Sequence, residues 1–523
     1  MGDRRRQAGL WLVALGFVAS GLLFIPRLGI EVDEAIVANG IYPHGSPWYS
    51  WKLGGMEIPI MLISYLGALK TWMYSVLFYF FDPRPLSLRV PMLVLGAATL
   101  WQFFALLDRT VSRRAAWIGT LLLATDSSYL LMNAVDYGPV TLQFVLKLGA
   151  LGLLAKFVRS GERSQLAGAF FLFGLAMWDK AVFAWVLFGL GAGAMAVFPK
   201  EVLVECTWRN LRAAALAMLA GALPLIVYNI ARPLETLRAN VQAEQLAVLG
   251  KSVILTRTMD GSVFFGFMTA LNAGPNPGQP GHWYQSLSTL LSEFLGSPRA
   301  NLTLWATAAA VLALAVLWRT PARKPILFGL VVCVATWLPM VLTAGAGAAA
   351  QHVILLWPFH LLIIAAAVDQ IPLRAGVAAV TLLLCGSSVA VTNQYYTELL
   401  RNGPTMRWTD AMDPLQRYLT DMKARRIYVA DWGILETMNL SSKGVLPIRG
   451  ADLSSDDGIR AMLRDSRNVF VSHAQGVAIH PKERAALEEL AQREDYIEEP
   501  VATIHDRNGR PAFDVFRFRK LHL

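Results

Sequence analysis

Asp33 and Glu34 are adjacent carboxylates placed just past the end of the first membrane-length apolar run, Leu10 to Ile25. Charge in or beside a lipid-embedded segment is expensive, so two acids there point to chemistry carried out at the membrane edge. Lys70, Asp136 and Lys180 are predicted at the same depth, near the outer surface rather than at mid-bilayer, and this shared depth suggests one site. A carboxylate in such a site can take a proton from a hydroxyl, and a lysine can stabilise an anion that forms as a bond breaks. A neighbouring acid can raise the pKa of the base toward working pH. Asp136 lies in the short turn Asn133-Ala134-Val135-Asp136-Tyr137-Gly138-Pro139, and Lys180 follows Asp179 between two later apolar runs. The competing account, that short loops simply need a polar residue, is preferred for Asp179, which is expected to face water.

Membrane helices must position these residues. Of the 523 residues 55% are hydrophobic and 16% charged, with a mean hydropathy of +0.44. That is too apolar and too charge-poor for soluble domains, so a polytopic α-helical membrane protein is expected. Stretches near the roughly 20 residues needed to cross a bilayer start near Leu10, Leu88, Ala115, Val140, Gln165, Ala181, Ala213, Leu302, Pro325, Val353 and Ala375, about eleven crossings. Basic clusters at Arg4 to Arg6, Arg109 to Arg114, Lys156 to Arg163, Lys200 to Arg212, Arg319 to Lys324 and Arg374 fall on every second connection, which makes those connections cytoplasmic. Their placement between apolar runs accounts for the net charge of +10 without a nucleic-acid partner. The MGDRRRQ start is expected to lead into a retained first helix, because no small-x-small cleavage site precedes the acidic pair. Cys206, Cys333 and Cys385 have no CxxC spacing and are expected to be inert packing residues.

This topology gives a membrane catalytic part over 1–400 with outer loops 27–87 and 232–300. Ile58 to Phe81 is expected to form helices lying in the outer interface, since a span there would put its flanking loops out of phase with the charges and Lys70 interrupts it. Gly274-Pro275-Asn276-Pro277-Gly278 and then His282-Trp283-Tyr284 read as a breaker-rich turn followed by aromatics that either rest on headgroups or cover a substrate. Beyond about Leu415, strand-like runs (Ile427 to Ala430, Val469 to Ser472, Val501 to His505) alternate with helical stretches such as Pro481 to Arg493, and Arg507-Asn508-Gly509-Arg510 reads as a hairpin turn. A soluble α/β domain over 415–523, outside the membrane, is expected, large enough for a modest core of its own. It has neither a glycine-rich phosphate loop nor a Gly-x-Ser-x-Gly elbow, which argues against catalysis there. Asp431 and His473, at predicted strand ends, would either line a cleft or satisfy loop backbone.

In these features the chain resembles the GT-C glycosyltransferases, in the branch of bacterial lipid A aminoarabinose transferases and protein O-mannosyltransferases. Val32-Asp33-Glu34-Ala35 is similar to that family's acidic motif in the first outer loop, and Leu69 to Tyr74 to its segment carrying a phosphate-binding lysine. Leu88-Arg89-Val90-Pro91 resembles the start of its second helix, and Gly174 through Lys180 its Gly-x-x-x-x-x-Lys stretch. The resemblance covers roughly the first 230 residues and is architectural beyond them. Lys70-Thr71-Trp72 stands where the family has Lys-Pro-Pro, and Asn133 to Asp136 where it has Arg-x-x-Asp.

The resemblance implies an inverting transfer of a sugar from a polyprenyl-phosphate donor to an acceptor hydroxyl or phosphate, at the periplasmic face of a bacterial inner membrane. Asp33 would be the base, and Glu34 would orient the acceptor or tune its neighbour. Lys70 would pair with the lipid phosphate. Arg89 would be a second such cation, or a snorkelling interfacial arginine. Asp136 would hold sugar hydroxyls or a cation, with Lys180 completing the substrate-binding set. Apart from the resemblance, His352, which follows an Ala-Gly-rich outer turn and precedes Val353 to Phe359, either looks into the same cavity as a further substrate-binding residue or is an interfacial residue. Asp33, Glu34 and Asp136 could hold a hard divalent ion through oxygen, or face Lys70 without one. The acceptor, whether glycan, lipid or protein, stays open. A ligase or polymerase using diphosphate-linked glycans is the nearest alternative. A secondary transporter would show paired repeats with broken midplane helices, and the sequence carries no such repeat.

Overall fold

Apolar runs and their breakers set the helices. The computed structural model describes residues 2–45, 47–240, 248–422 and 424–521; the side chains of residues 2, 3 and 5, including Arg5 of the first basic cluster, lie outside that set. Among the described residues five helices are long and apolar enough to cross a membrane: Arg6–Arg27, Pro85–Thr110, Val140–Ser160, Arg323–Leu342 and Arg374–Asn402. Four further helix pairs pass only when joined and are bent at the joint by 56°, 109°, 68° and 41°. Length and apolarity by themselves therefore account for five crossings, or up to nine with each bent pair taken as one span, out of the eleven expected. The runs expected from Gln165 and Leu302 form helices of only 17 and 10 residues, Arg163–Asp179 and Thr303–Leu312. At about 1.5 Å per residue the shorter helix falls well short of a hydrocarbon core about 30 Å thick, and the 17-residue one sits at the lower end of the range for a span.

The bends have identifiable causes. Asp126 ends the helix Arg113–Thr125 and its carboxylate accepts the Tyr129 N–H at 2.7 Å, starting Ser127–Ala134 in a new direction. Pro358 separates Ala350–Leu356 from Phe359–Val368. Backbone groups released by such a break inside a membrane must find partners in protein. The buried Lys147, on Val140–Ser160, donates to the carbonyls of Leu355 and Trp357 at 2.6 and 2.5 Å. Leaving a buried carbonyl unmade costs about 1–3 kcal/mol. Lys147→Met is therefore expected to lower the melting temperature of the purified protein in nanodiscs; an unchanged value would show that these carbonyls have another partner.

Basic residues meet at one end of the helices. Arg6 approaches Asp108 at 3.7 Å, Arg114 bonds Asp369 at 2.6 Å, and Arg159 donates to the Arg109 carbonyl. Arg89 lies on the same helix as Arg109 and twenty residues earlier, about 30 Å away along the axis, so the candidate site forms at the opposite end.

The loop over 27–87 departs from expectation. Within Ile58 to Phe81 only Leu69–Phe80 is helical. The rest belongs to an antiparallel sheet of β1 (Tyr49–Leu53), β2 (Met56–Ile63) and β3 (Leu66–Gly67), in the order β1-β2-β3. Ile58, Ile60 and Leu62 repeat every second residue and suit a strand, a short period hidden by the apolar residues between them.

The loop over 232–300 carries the helix Trp283–Phe294, whose Trp283 is 78% exposed while Ser288 bonds Asn393 at 2.7 Å. Its preceding turn docks on protein: the Asn276 N–H donates to the Asn508 carbonyl at 2.9 Å, and the Asn508 amide donates to Ala273 and Asn276 carbonyls at 2.9 and 3.0 Å. Asn508 sits in the turn between β7 (Tyr496–His505) and β8 (Pro511–Lys520), a hairpin where the sequence placed one. With β4 (Ile427–Val429), β5 (Ile448–Gly450) and β6 (Val469–His473) they form a sheet of order β5-β4-β6-β8-β7, in which β5, β4 and β6 run parallel. The core of this small domain takes in Ala411 and Met412 from the helix approaching it. Asp431 satisfies loop backbone: it accepts from the N–H groups of Trp432, Ile479 and His480, and pairs with the His473 ring at 2.7 Å. Cys206, expected to pack inside, is exposed after the short helix Pro199–Glu205, which turns away from its neighbour by 109°.

Candidate active site

The helix Val32–Asn39 is started by a reciprocal cap. Glu31 accepts the Asp33 N–H at 2.6 Å and the Glu34 carboxylate accepts the Glu31 N–H at 3.4 Å. This arrangement turns Glu31 and Glu34 inward, both buried, and leaves Asp33 half-buried at the opening.

Glu34 is held by Arg89 through two bonds, Nε to Oε2 at 2.9 Å and Nη2 to Oε1 at 2.7 Å. Arg89 also donates to the carbonyls of Ile25 at 3.2 Å, Leu28 at 2.8 Å and Gly29 at 2.5 Å. These bonds use all five N–H donors of a guanidinium. The expected phosphate contact therefore has no donor left, and a fully buried Arg89 is not a snorkelling residue either. Its work is to clamp Ile25 to Gly29 and the helix behind them into one piece.

Lys70 and Asp136 are brought together, both buried, as an ion pair in which Tyr74 also donates to Asp136. Lys70 makes a further bond to the Gly138 carbonyl at 2.9 Å. Asp136 sits at φ +50°, left-handed backbone that aspartate tolerates better than most residues and that aims its carboxylate back at Lys70. Thr71 donates to the Val37 carbonyl at 2.6 Å and so ties the lysine helix to the Asp33 helix.

Lys180 ends the helix Arg163–Asp179 and is 2% exposed; its ammonium has no hydrogen-bond partner among the described residues, and its nearest opposite charges include Asp33. Next to it, the Ala181 N–H donates to the Tyr65 carbonyl at 2.9 Å. Tyr65, Ala181 and His352 line one cavity of about 150 Å³. His352 bonds the Gly345 carbonyl through Nδ1 at 3.0 Å, and its buried Nε2 has no partner among the described residues. Gln351 beside it donates to Asp33 Oδ2 at 3.0 Å. Asp179 does not face water: it is buried and accepts from the Gln143 amide at 2.7 Å.

Burial raises the acids that line this site. It lifts Glu34 to about 7 against the opposing pull of Arg89, and raises Asp136 despite Lys70. Glu31 is raised well above the usual carboxylate range by burial first and the charge of Asp33 second. Asp33 is thus the one acid of the group with an exposed face, and Lys180 the buried cation with donors to spare. A group reaching both can surrender a proton at one side and shed an anion at the other. Glu34 and Asp136 are committed to Arg89 and Lys70, so the three-carboxylate cation site does not assemble; among the described residues no cluster of three metal-binding side chains forms.

The backbone fold recurs in solved structures. ArnT from Cupriavidus metallidurans bound to undecaprenyl phosphate superposes with a TM-score of 0.58 at 13% identity, over 97% of both chains. This is the GT-C fold. The apo form of the same ArnT covers 98% of both chains at 11% identity with a TM-score of 0.54. The apo oligosaccharyltransferase of Archaeoglobus fulgidus has a TM-score of 0.51 at 12% identity, over 94% of this chain and 69% of its own. No protein-family model matches the chain, and no curated protein matches it in sequence. The GT-C likeness shown by these comparisons therefore rests on the backbone.

Four residues of the site escaped the sequence reading. Tyr74 was within reach of it, since it lies one helical turn from Lys70 and must share its face. Glu31 opens a cap whose usual first residue is Ser, Thr, Asp or Asn. Gln351 and Arg407 carry no local signal. Arg407 follows the helix Arg374–Asn402, and its charge reaches Glu31.

Proposed function

We propose that this chain is a membrane glycosyltransferase that moves a sugar from a polyprenyl-phosphate donor to an acceptor hydroxyl at the outer, periplasmic face of a bacterial inner membrane. The observation that carries the reading is the half-buried Asp33 facing the buried ammonium of Lys180, at the end of the helices opposite the basic connections. That ArnT of the same fold is bound to undecaprenyl phosphate supports the donor class. In this reading Asp33 takes the acceptor proton as the acceptor oxygen attacks the anomeric carbon. The bond from that carbon to the phosphate oxygen breaks, and the lipid phosphate leaves with the electron pair. One direct displacement inverts the anomeric configuration.

Lys180 stabilises the departing phosphate, with the remaining N–H of Lys70 as a second donor. Asp136 and Tyr74 hold Lys70 in place, and Glu34 acts through Arg89 to position the Asp33 helix. His352 offers its free Nε2 to a sugar hydroxyl. Residues 1–400 form the catalytic part in this reading and 415–523 a periplasmic domain.

Transfer from a panel of radiolabelled polyprenyl-phosphate sugars into membranes carrying the protein tests the reading. Incorporation of label from one donor is expected; its absence with every monophosphate donor, and appearance with a diphosphate-linked one, would replace this reading by the ligase. Lys180→Ala is expected to lower turnover by about 100-fold, the loss that follows removal of one transition-state donor. Unchanged turnover would remove Lys180 from the mechanism.

A further inference from the structure

The basic end of the helices, opposite the candidate site, holds a cavity that the proposed reaction does not use. Phe198 and Pro199 end the helix Phe183–Val197 and start Pro199–Glu205, which turns away by 109°. Proline has no N–H to donate and suits the first position of a helix, so the chain sets off there in a new direction. Leu203 and Val204 on this short helix and Trp208 just after it are exposed. Exposed apolar side chains beside charged ones, on a helix turned out of the bundle, suit a segment lying in a membrane interface.

Behind the turn lies a cavity of about 510 Å³. Its walls are apolar: Leu154, Phe157, Leu166, Phe170 and Ala214, from three neighbouring helices, pack as one cluster along it. Such walls give water few partners, whereas an acyl chain gains dispersion contacts from every methylene. Charge is confined to the rim. Arg109, in the last turn of Pro85–Thr110, and Glu205, at the end of Pro199–Glu205, both line the cavity and both are half-buried. The other ions of the rim are answered within the protein: Glu201 pairs with Lys324 at 3.3 Å, and Arg159 donates to the Arg109 carbonyl. Glu205 accepts the Asn210 amide at 3.0 Å and has no cation beside it among the described residues. The Arg109 guanidinium likewise has no acceptor among the described residues.

An unanswered guanidinium and an unanswered carboxylate at the mouth of an apolar cavity complement a zwitterion that carries a chain. We propose that this cavity binds a phospholipid of the leaflet at the basic end of the helices, one whose headgroup joins a phosphodiester to a primary ammonium, as in phosphatidylethanolamine. One acyl chain enters between the helices, the phosphate meets Arg109, and the ammonium N–H groups donate to Glu205. A choline headgroup has no N–H to give, and a glycerol headgroup brings no cation to the carboxylate, so Glu205 selects the primary amine. Arg109 lies about 30 Å from Arg89 along their shared helix, which separates this lipid from any carrier bound near Asp33. The site stands independently of the glycosyltransferase reading, and its lipid would hold Pro199–Glu205 against the membrane surface.

The test is lipid binding by the full chain, stripped of lipid in detergent and titrated with dioleoyl phosphatidylethanolamine, phosphatidylcholine or phosphatidylglycerol, with bound lipid counted by native mass spectrometry. The native protein is expected to bind the ethanolamine lipid about 10-fold more tightly than the other two, the low end of the range for a charged hydrogen bond. Glu205→Gln should bring the ethanolamine and choline lipids within about twofold of each other, and Arg109→Gln should weaken all three. Ala194→Phe, which fills the cavity from its wall, should remove most binding of every headgroup, and Ala155→Phe fills the same space if the first variant does not accumulate. A native protein without headgroup preference, a preference that survives Glu205→Gln, or binding untouched by filling the cavity would overturn the proposal. A preference for phosphatidylglycerol that is lost with Arg109→Gln would replace it by an anionic-lipid site.

Discussion

Asp33→Asn is expected to lower the turnover of sugar transfer by about 100-fold to 10,000-fold, the contribution of a positioned general base. Of the clustered acids only Asp33 keeps an exposed face; Glu34 is spent on Arg89 and Asp136 on Lys70 and Tyr74. Asparagine keeps the shape and the Gln351 contact but cannot accept the proton. Undecaprenyl phosphate should still bind with native affinity, because its phosphate is assigned to Lys180 and Lys70. Single-turnover transfer measured beside carrier binding separates these quantities. Turnover within threefold of native would take the base away from Asp33 and require a group not in this cluster.

The second large effect is on folding. Arg89→Met removes five hydrogen bonds at once and strands the Glu34 carboxylate, which is fully buried. Breaking a buried ion pair from one side costs about 3–5 kcal/mol, whereas replacing both partners by apolar groups is often neutral. Arg89→Met is therefore expected to fail to accumulate as a monodisperse protein in detergent. Combining it with Glu34→Leu should restore most of the yield, with the carbonyls of Ile25, Leu28 and Gly29 as the remaining deficit. If Arg89→Met alone folds normally and loses only carrier affinity, the phosphate role read from the sequence is correct and the clamp is not.

The disagreement over Arg89 shows where sequence reasoning stops. An arginine near the start of a membrane helix is compatible with a headgroup, a phosphate or a buried carboxylate, and nothing in Leu88-Arg89-Val90-Pro91 separates the three. Asp179 failed for the same reason: a polar residue at a helix end faces water unless a partner such as Gln143 covers it. The strands of the loop over 27–87 were missed on different grounds. Their alternation is short and is masked by the apolar residues between, and the helix that follows is real.

Composition, the apolar runs, the spacing of basic clusters and the charges at one predicted depth determined by themselves that this is a membrane-helix protein with a charged site near one end, and that a small α/β domain follows. Each of those signals is local, because burial in lipid acts on every residue of a run and hairpin chemistry on a few neighbours. What only the tertiary structure decided is the division of labour. Glu34 meets Arg89 across 55 residues, Lys70 meets Asp136 across 66, and Gln351 meets Asp33 across 318. Whether a charge is committed to a partner or left for a substrate depends on which distant segment packs against it, and that is settled by the fold.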